Sequence, residues 1–164
     1  MRTFLLITIL FIVTKGSTQD MNSERLGTLI ASVTDSVEAQ GNAFRFVYKD
    51  VFILTIYDEN ANRMRIISPI VPRAELEEEE LLNALVANFH SVLDVKYALS
   101  DEIIWSVFAH PLKELSEHQV LDAIDQVYLA NATFGTTYSS THLVFPGNTE
   151  KKEVPEHKQR IERY

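Results

Sequence analysis

The sequence contains no cysteine. That excludes a disulfide frame, a thiolate zinc site, a cysteine nucleophile and a bacterial lipoprotein anchor. It does not fix a compartment, because a core of this size folds without disulfides even where they can form. Glycine and proline are sparse, five of each in 164 residues. Collagen-like and glycine- or proline-rich low-complexity chains are thereby excluded. Basic residues are in deficit: 15 Lys and Arg stand against 23 Asp and Glu, a net charge of −8. Such a balance argues against unspecific nucleic-acid binding, which relies on Lys and Arg neutralising phosphates. It argues equally against simple electrostatic attachment to an anionic membrane.

Catalytic signatures are scarce too. The histidines are His90, His110, His118, His142 and His157. No two have the i, i+4 spacing of a helical metal site, and HExxH is absent. Residues 135–140 (GTTYSS) offer hydroxyls but match neither the GxSxG nucleophile elbow nor a P-loop. Asp35, Glu38, Asp58 and Glu59 fit no calcium-loop spacing. Asn131-Ala132-Thr133 is a glycosylation sequon inside a predicted helix. The expectation is a non-enzyme with no cofactor and no metal. The one catalytic alternative sets His110, at a strand end before Pro111, beside the hydroxyls of Tyr138, Ser139 and Ser140.

What the sequence does contain is clear patterning. Residues 1–18 read as a signal peptide: Arg2, an apolar run of about ten residues, then small residues up to Thr18. The run is too short for a comfortable membrane span. Cleavage near Gly16 or Thr18 is expected to leave a soluble, acidic protein in the periplasm or outside the cell. Residues 20–146 form the predicted domain. Residues 147–164 read as a disordered charged tail.

The domain is organised around residues 75–93. Leu82, Leu85, Val86, Phe89 and Leu93 recur at helical spacing, after a run of glutamates that suits a helix start. Before it, Leu26, Leu29, Ile30, Val33 and Val37 predict a first helix over 21–40, stopped by Gly41-Asn42. Three strands follow, over 44–49, 51–57 and 63–68, with Pro69 and Pro72 ending the meander. Residues 51–57 (VFILTIY) are apolar on both faces, which places them inside the sheet. Beyond the organising helix come a strand over 95–99 and another over 102–108. Ser116 and Gln119 form a capping box for the last helix, whose stripe is Val120, Ile124, Val127 and Tyr128. Residues 136–145 (TTYSSTHLVF) are β-prone.

The fold class is therefore α+β, ordered α-β-β-β-α-β-β-α, with a five-stranded antiparallel sheet packed against helices. This order resembles the type III secretion chaperone-like fold, shared by effector chaperones and YbjN-type bacterial domains. The resemblance also rests on residues 63–68 (RMRIIS), residues 85–99 (LVANFHSVLDVKYAL), and Trp105-Ser106-Val107-Phe108 leading through His110-Pro111-Leu112 into the last helix. It implies a non-enzymatic protein that often dimerises and holds an extended segment of a partner on apolar patches. The expectation is an exported protein-binding module of chaperone-like, assembly or regulatory type. Its partner is a protein or peptide, with a possible homodimer, no nucleic acid and no stable membrane insertion. The predicted partner-binding residues are Trp105, Phe108, His110, Tyr138 and His142, with strand addition at the sheet edge or along 136–145. A small-molecule or lipid carrier with an apolar pocket is the alternative.

Overall fold

A computed structural model describes residues 20–141 of the chain. The predicted leader, the predicted tail, His142 and the end of the β-prone segment lie outside the described residues.

Among the described residues, three α-helices and six strands follow one another along the chain, with a short 3-10 turn at Arg73–Glu75. Helix α1 spans Ser23–Ala31. Strands β1 (Val37–Gln40), β2 (Ala43–Tyr48), β3 (Val51–Asp58) and β4 (Arg63–Pro72) follow. Helix α2 spans Glu78–His90. Strands β5 (Lys96–Ser100) and β6 (Ile103–His110) lead into helix α3, Glu117–Ala132. The sheet is antiparallel throughout, in the order β1-β2-β3-β4-β6-β5.

The sheet has six strands, where the sequence patterning predicts five. The predicted first helix ends early, at Ala31, and β1 occupies Val37–Gln40. Two hydroxyls give the reason. The Ser32 hydroxyl donates to the Leu29 carbonyl, and the Thr34 hydroxyl donates to the Val47 carbonyl on β2. Short polar side chains of this kind draw the backbone out of a helix. Gly41-Asn42 then serves as a two-residue hairpin turn, with Gly41 at φ +59°, and Gln40 pairs with Ala43. The helical spacing of Val33 and Val37 is coincidental.

Two further hairpins turn at Lys49-Asp50 and Asp101-Glu102, all four residues at positive φ. Two consecutive left-handed residues match the right-handed twist of the flanking strands. β4 runs past the predicted stop at Pro69 as far as Pro72, pairing Pro69 with Trp105 and Pro72 with Ile103. The β3 ladder reaches only to the Leu54–Ile67 pair, and a register shift lies between Pro69 and Val71. The prolines thus fall where β4 has one strand neighbour and a bulge, positions that tolerate a missing N–H.

One sheet face carries the core. Phe46, Ile53, Met64, Ile66 and Phe108 point toward α1 and α3, meeting Leu26, Ile30, Val120, Ile124 and Val127. The capping box of α3 forms as its sequence predicts: Gln119 N–H donates to Ser116 Oγ, and Ser116 N–H to Gln119 Oε1. Buried hydroxyls then tie the sheet and its neighbours together. Ser106 Oγ donates to the Val127 carbonyl at 3.1 Å, and Tyr97 Oη to the Ala130 carbonyl at 2.9 Å. Asn131 Nδ2 reaches Ser68 Oγ and the Pro69 carbonyl, both at 2.8 Å, so the sequon asparagine is a structural tie between α3 and β4.

Candidate functional site

α2 forms where its glutamates predict a helix start. The Glu77 N–H donates to Glu80 Oε2 at 3.0 Å, and Glu78, Glu79 and Glu80 occupy the positive end of the helix dipole. The orientation is the unexpected part. The residues buried against the body are the small ones, Ala84 and Ala87. The large apolar residues point outward: Leu82 is 60% exposed, Leu85 64%, Val86 57% and Phe89 85%. Burying side chains of this size is worth about 1.5–3 kcal/mol each, so the helix leaves a substantial apolar stripe unused. Leu99 on the neighbouring β5 is exposed as well.

α2 is fastened to the sheet edge by polar groups. Asn88 Nδ2 donates to the Tyr97 carbonyl at 3.1 Å, and Asn88 Oδ1 accepts the Tyr97 N–H at 2.7 Å. One side chain thus occupies the backbone groups of Tyr97 near the start of β5, in the way a further strand would. The Ser91 hydroxyl donates to the Tyr138 carbonyl.

The sheet face opposite the core has no helix on it among the described residues. Strand alternation places Val47, Phe52, Leu54, Ile56, Ile67, Trp105 and Val107 there. Cross-strand pairs make these side chains neighbours: Val47 with Phe52, Leu54 with Ile67, Ile67 with Val107. Arg63 and Arg65 lie at one end, on β4, with Arg45 on β2 paired at 3.9 Å to Glu38. An open depression of about 620 Å³ at this end is lined by Asp58, Arg63, Arg65 and His110 among others.

The predicted partner-binding residues divide between the two faces. Trp105 is half-buried on the uncovered face, and its indole Nε1 donates to the Ser100 carbonyl at 3.2 Å. Phe108 and Tyr138 are buried on the helical side. Tyr138 packs edge-on with Tyr97 and Phe134, so these rings belong to the core. His110 stacks on Phe108 with ring centroids 5.9 Å apart and donates from Nδ1 to the Pro111 carbonyl at 2.8 Å.

The hydroxyls beside Tyr138 serve the loop. Ser140 is fully buried and accepts the Leu93 N–H; Ser139 Oγ donates to the Thr141 carbonyl. A buried hydroxyl committed to a backbone amide is not placed to attack a substrate. Burial pushes the Tyr97 phenol up to about 12. Desolvation holds Lys96 below the ordinary lysine value. The Asn62 side-chain amide holds the Glu114 carboxyl low. Each shift has a structural cause.

Sequence patterning missed the uncovered face as a surface. Its signal was present in residues 51–57, apolar on both sides of the strand. One side faces the core and the other faces out.

No protein-family model and no curated protein matches the chain. Among solved structures, it is similar to a chain of the HopA1–SchA chaperone–effector complex, at 11% identity and a TM-score of 0.48. That alignment covers 65% of this chain and 92% of the other. It is also similar to a chain of the Yersinia pestis type III secretion chaperone SycH in complex with a stable fragment of YscM2. There the identity is 13% and the TM-score 0.50, over 68% of this chain and 94% of the other. At these identities the likeness is one of architecture, and the chain has the fold of the type III secretion chaperones.

Proposed function

We propose that this chain is an exported, non-enzymatic protein-binding module of chaperone-like, assembly or regulatory type. The observation that carries the reading is the outward apolar stripe of α2. Contiguous exposed apolar surface on an otherwise well-packed protein marks an interaction site. The SycH structure with the same fold holds a fragment of a protein, YscM2, which supports a protein partner here. Export rests on the leader-like residues 1–18.

Affinity capture from the native exported fraction tests the reading, with the full chain and its Leu85→Glu/Phe89→Glu variant as paired baits. One protein retained by the wild type and lost from the variant is the expected result. A wild-type bait that retains no protein, yet shows a bound small molecule by native mass spectrometry, would overturn it in favour of a carrier.

A further inference from the structure

The open depression of about 620 Å³ at the Arg63 end of the sheet has no α2 residue in its lining. Its lining mixes apolar side chains with basic ones. Arg65 stands between its cross-strand partners Ile56 and Ala109, and all three line the depression. Two residues along β4, Ile67 stands in the same way between Leu54 and Val107. An apolar strip therefore leads away from Arg65 along the same face. Arg63, two residues in the other direction, lines the depression as well. The chain has 23 acidic residues against 15 basic ones, and its other arginines find carboxylates: Arg25 pairs with Glu117 at 2.9 Å and Arg45 with Glu38 at 3.9 Å. The Arg65 guanidinium has no hydrogen bond or ion pair among the described residues. Arg63 Nη1 donates to the Asn62 carbonyl at 3.2 Å.

We propose that this depression binds a carboxylate carried on an apolar chain. The Arg65 guanidinium holds the carboxylate, and the chain lies along Leu54, Ile67 and Val107. A planar guanidinium presents paired N–H donors that match the two oxygens of a carboxylate. Charge selects a monoanion. Asp58 lies across from Arg63 in the same depression, its Oδ1 accepting the Ala61 N–H at 2.8 Å. Two arginines and one aspartate leave one positive charge, with histidine counted as neutral. A carboxylate balances that charge, whereas a phosphate dianion exceeds it and is repelled by Asp58. The apolar strip offers a bare inorganic ion nothing. The volume falls within the range of small-ligand sites, about 300–1,000 Å³. From Arg65 to Pro69 the strand runs about 13 Å, the reach of about four extended residues. Two sources carry this chemistry: the free C-terminus of an apolar polypeptide and a fatty acid.

Titration calorimetry on the purified full chain tests the site with two pairs of probes. One pair is a hexapeptide ending in Val-Leu with a free carboxylate and its C-terminally amidated twin. The other is octanoate and octanol. In at least one pair the carboxylate binds, and its neutral twin binds about ten- to a hundredfold more weakly, as loss of a hydrogen bond between charged groups requires. Arg65→Gln lowers the affinity for the carboxylate by the same factor and leaves that for the neutral twin unchanged. Arg65→Lys keeps the charge without the fork and recovers part of the loss. Ala109→Glu sets a carboxylate across from Arg65 and blocks the site from within. Both positions are exposed, and circular dichroism confirms folding. Binding of the acid peptide assigns a polypeptide end, and binding of octanoate alone assigns a fatty acid; either supports the proposal. A neutral twin that binds as well as its acid overturns it, as does an Arg65→Gln variant that binds like the wild type. Inorganic phosphate binding as tightly as the carboxylates also overturns it. So does loss of probe binding in Leu85→Glu/Phe89→Glu, which would place the ligand on α2. A wild type that binds neither carboxylate at millimolar concentration ends the proposal and leaves the reading of α2 intact.

Discussion

Thr55 shows how a single side chain can run against the surrounding core. It sits on β3, fully buried, facing the helices, and its hydroxyl has no partner among the described residues. The other buried hydroxyls of the sheet, on Ser68 and Ser106, donate to the carbonyls of Phe52 and Val127. A buried polar group without a partner carries its desolvation penalty uncompensated. Thr55→Val keeps the β-branched shape and removes that group. The expected result is a stabilisation of about 1 kcal/mol in urea unfolding, with an unchanged slope. A loss of stability would show that the hydroxyl has a partner in solution.

At the scale of elements, α2 departs furthest from the rest of the fold. A helix in a small domain ordinarily turns its large apolar residues inward; here alanines face in and leucines and phenylalanine face out. Asn88 therefore matters more than its size suggests. Asn88→Ala leaves the Tyr97 N–H and carbonyl without their side-chain partner and should cost about 1–3 kcal/mol. Hydrogen exchange at the Tyr97 amide should accelerate beyond that global loss, because the sheet edge is opened. Unchanged exchange there would mean that α2 is held by its alanine contacts alone. Much of this architecture was legible in the sequence. Ser116 and Gln119 announce α3, and the alternation in Phe44, Phe46 and Tyr48 announces β2. The direction of the α2 stripe was not legible, because periodicity marks a face without saying what covers it. β1 was hidden because Val33 and Val37 happen to keep helical spacing, while one of the hydroxyls that end α1 acts through a contact distant in sequence, Thr34 with Val47. The predicted site residues scattered for a related reason: Trp105 and Phe108 are three apart on one strand, and odd spacing on a strand means opposite faces.

Over the whole molecule, charge and burial set how stability responds to pH. Tyr97 is buried in the middle of the aromatic cluster, and burial raises its phenol to about 12. Its ordinary value is about 10. Between those two values the unfolded chain ionises this tyrosine while the folded chain keeps it neutral. The folded state then holds the extra proton, so stability is full below pH 10 and falls as pH rises toward 12. Tyr48 and Tyr138 are also raised by burial and share the direction. At the acid end the sign reverses. Glu59 accepts the Ser23 N–H and Glu114 accepts from Asn62, and both carboxyls are held below their ordinary value. Their support is present above the ordinary carboxylate range and is lost as pH falls through their lowered values. Both are exposed, so the acid effect is small and the alkaline one dominates. Urea midpoints should hold steady from pH 7 to 9 and drop between pH 10 and 12. Tyr97→Phe should start lower at pH 7, having lost the hydrogen bond to the Ala130 carbonyl, and should show a shallower alkaline drop. A variant with the same alkaline slope as the wild type would move the cause to Tyr48 and Tyr138.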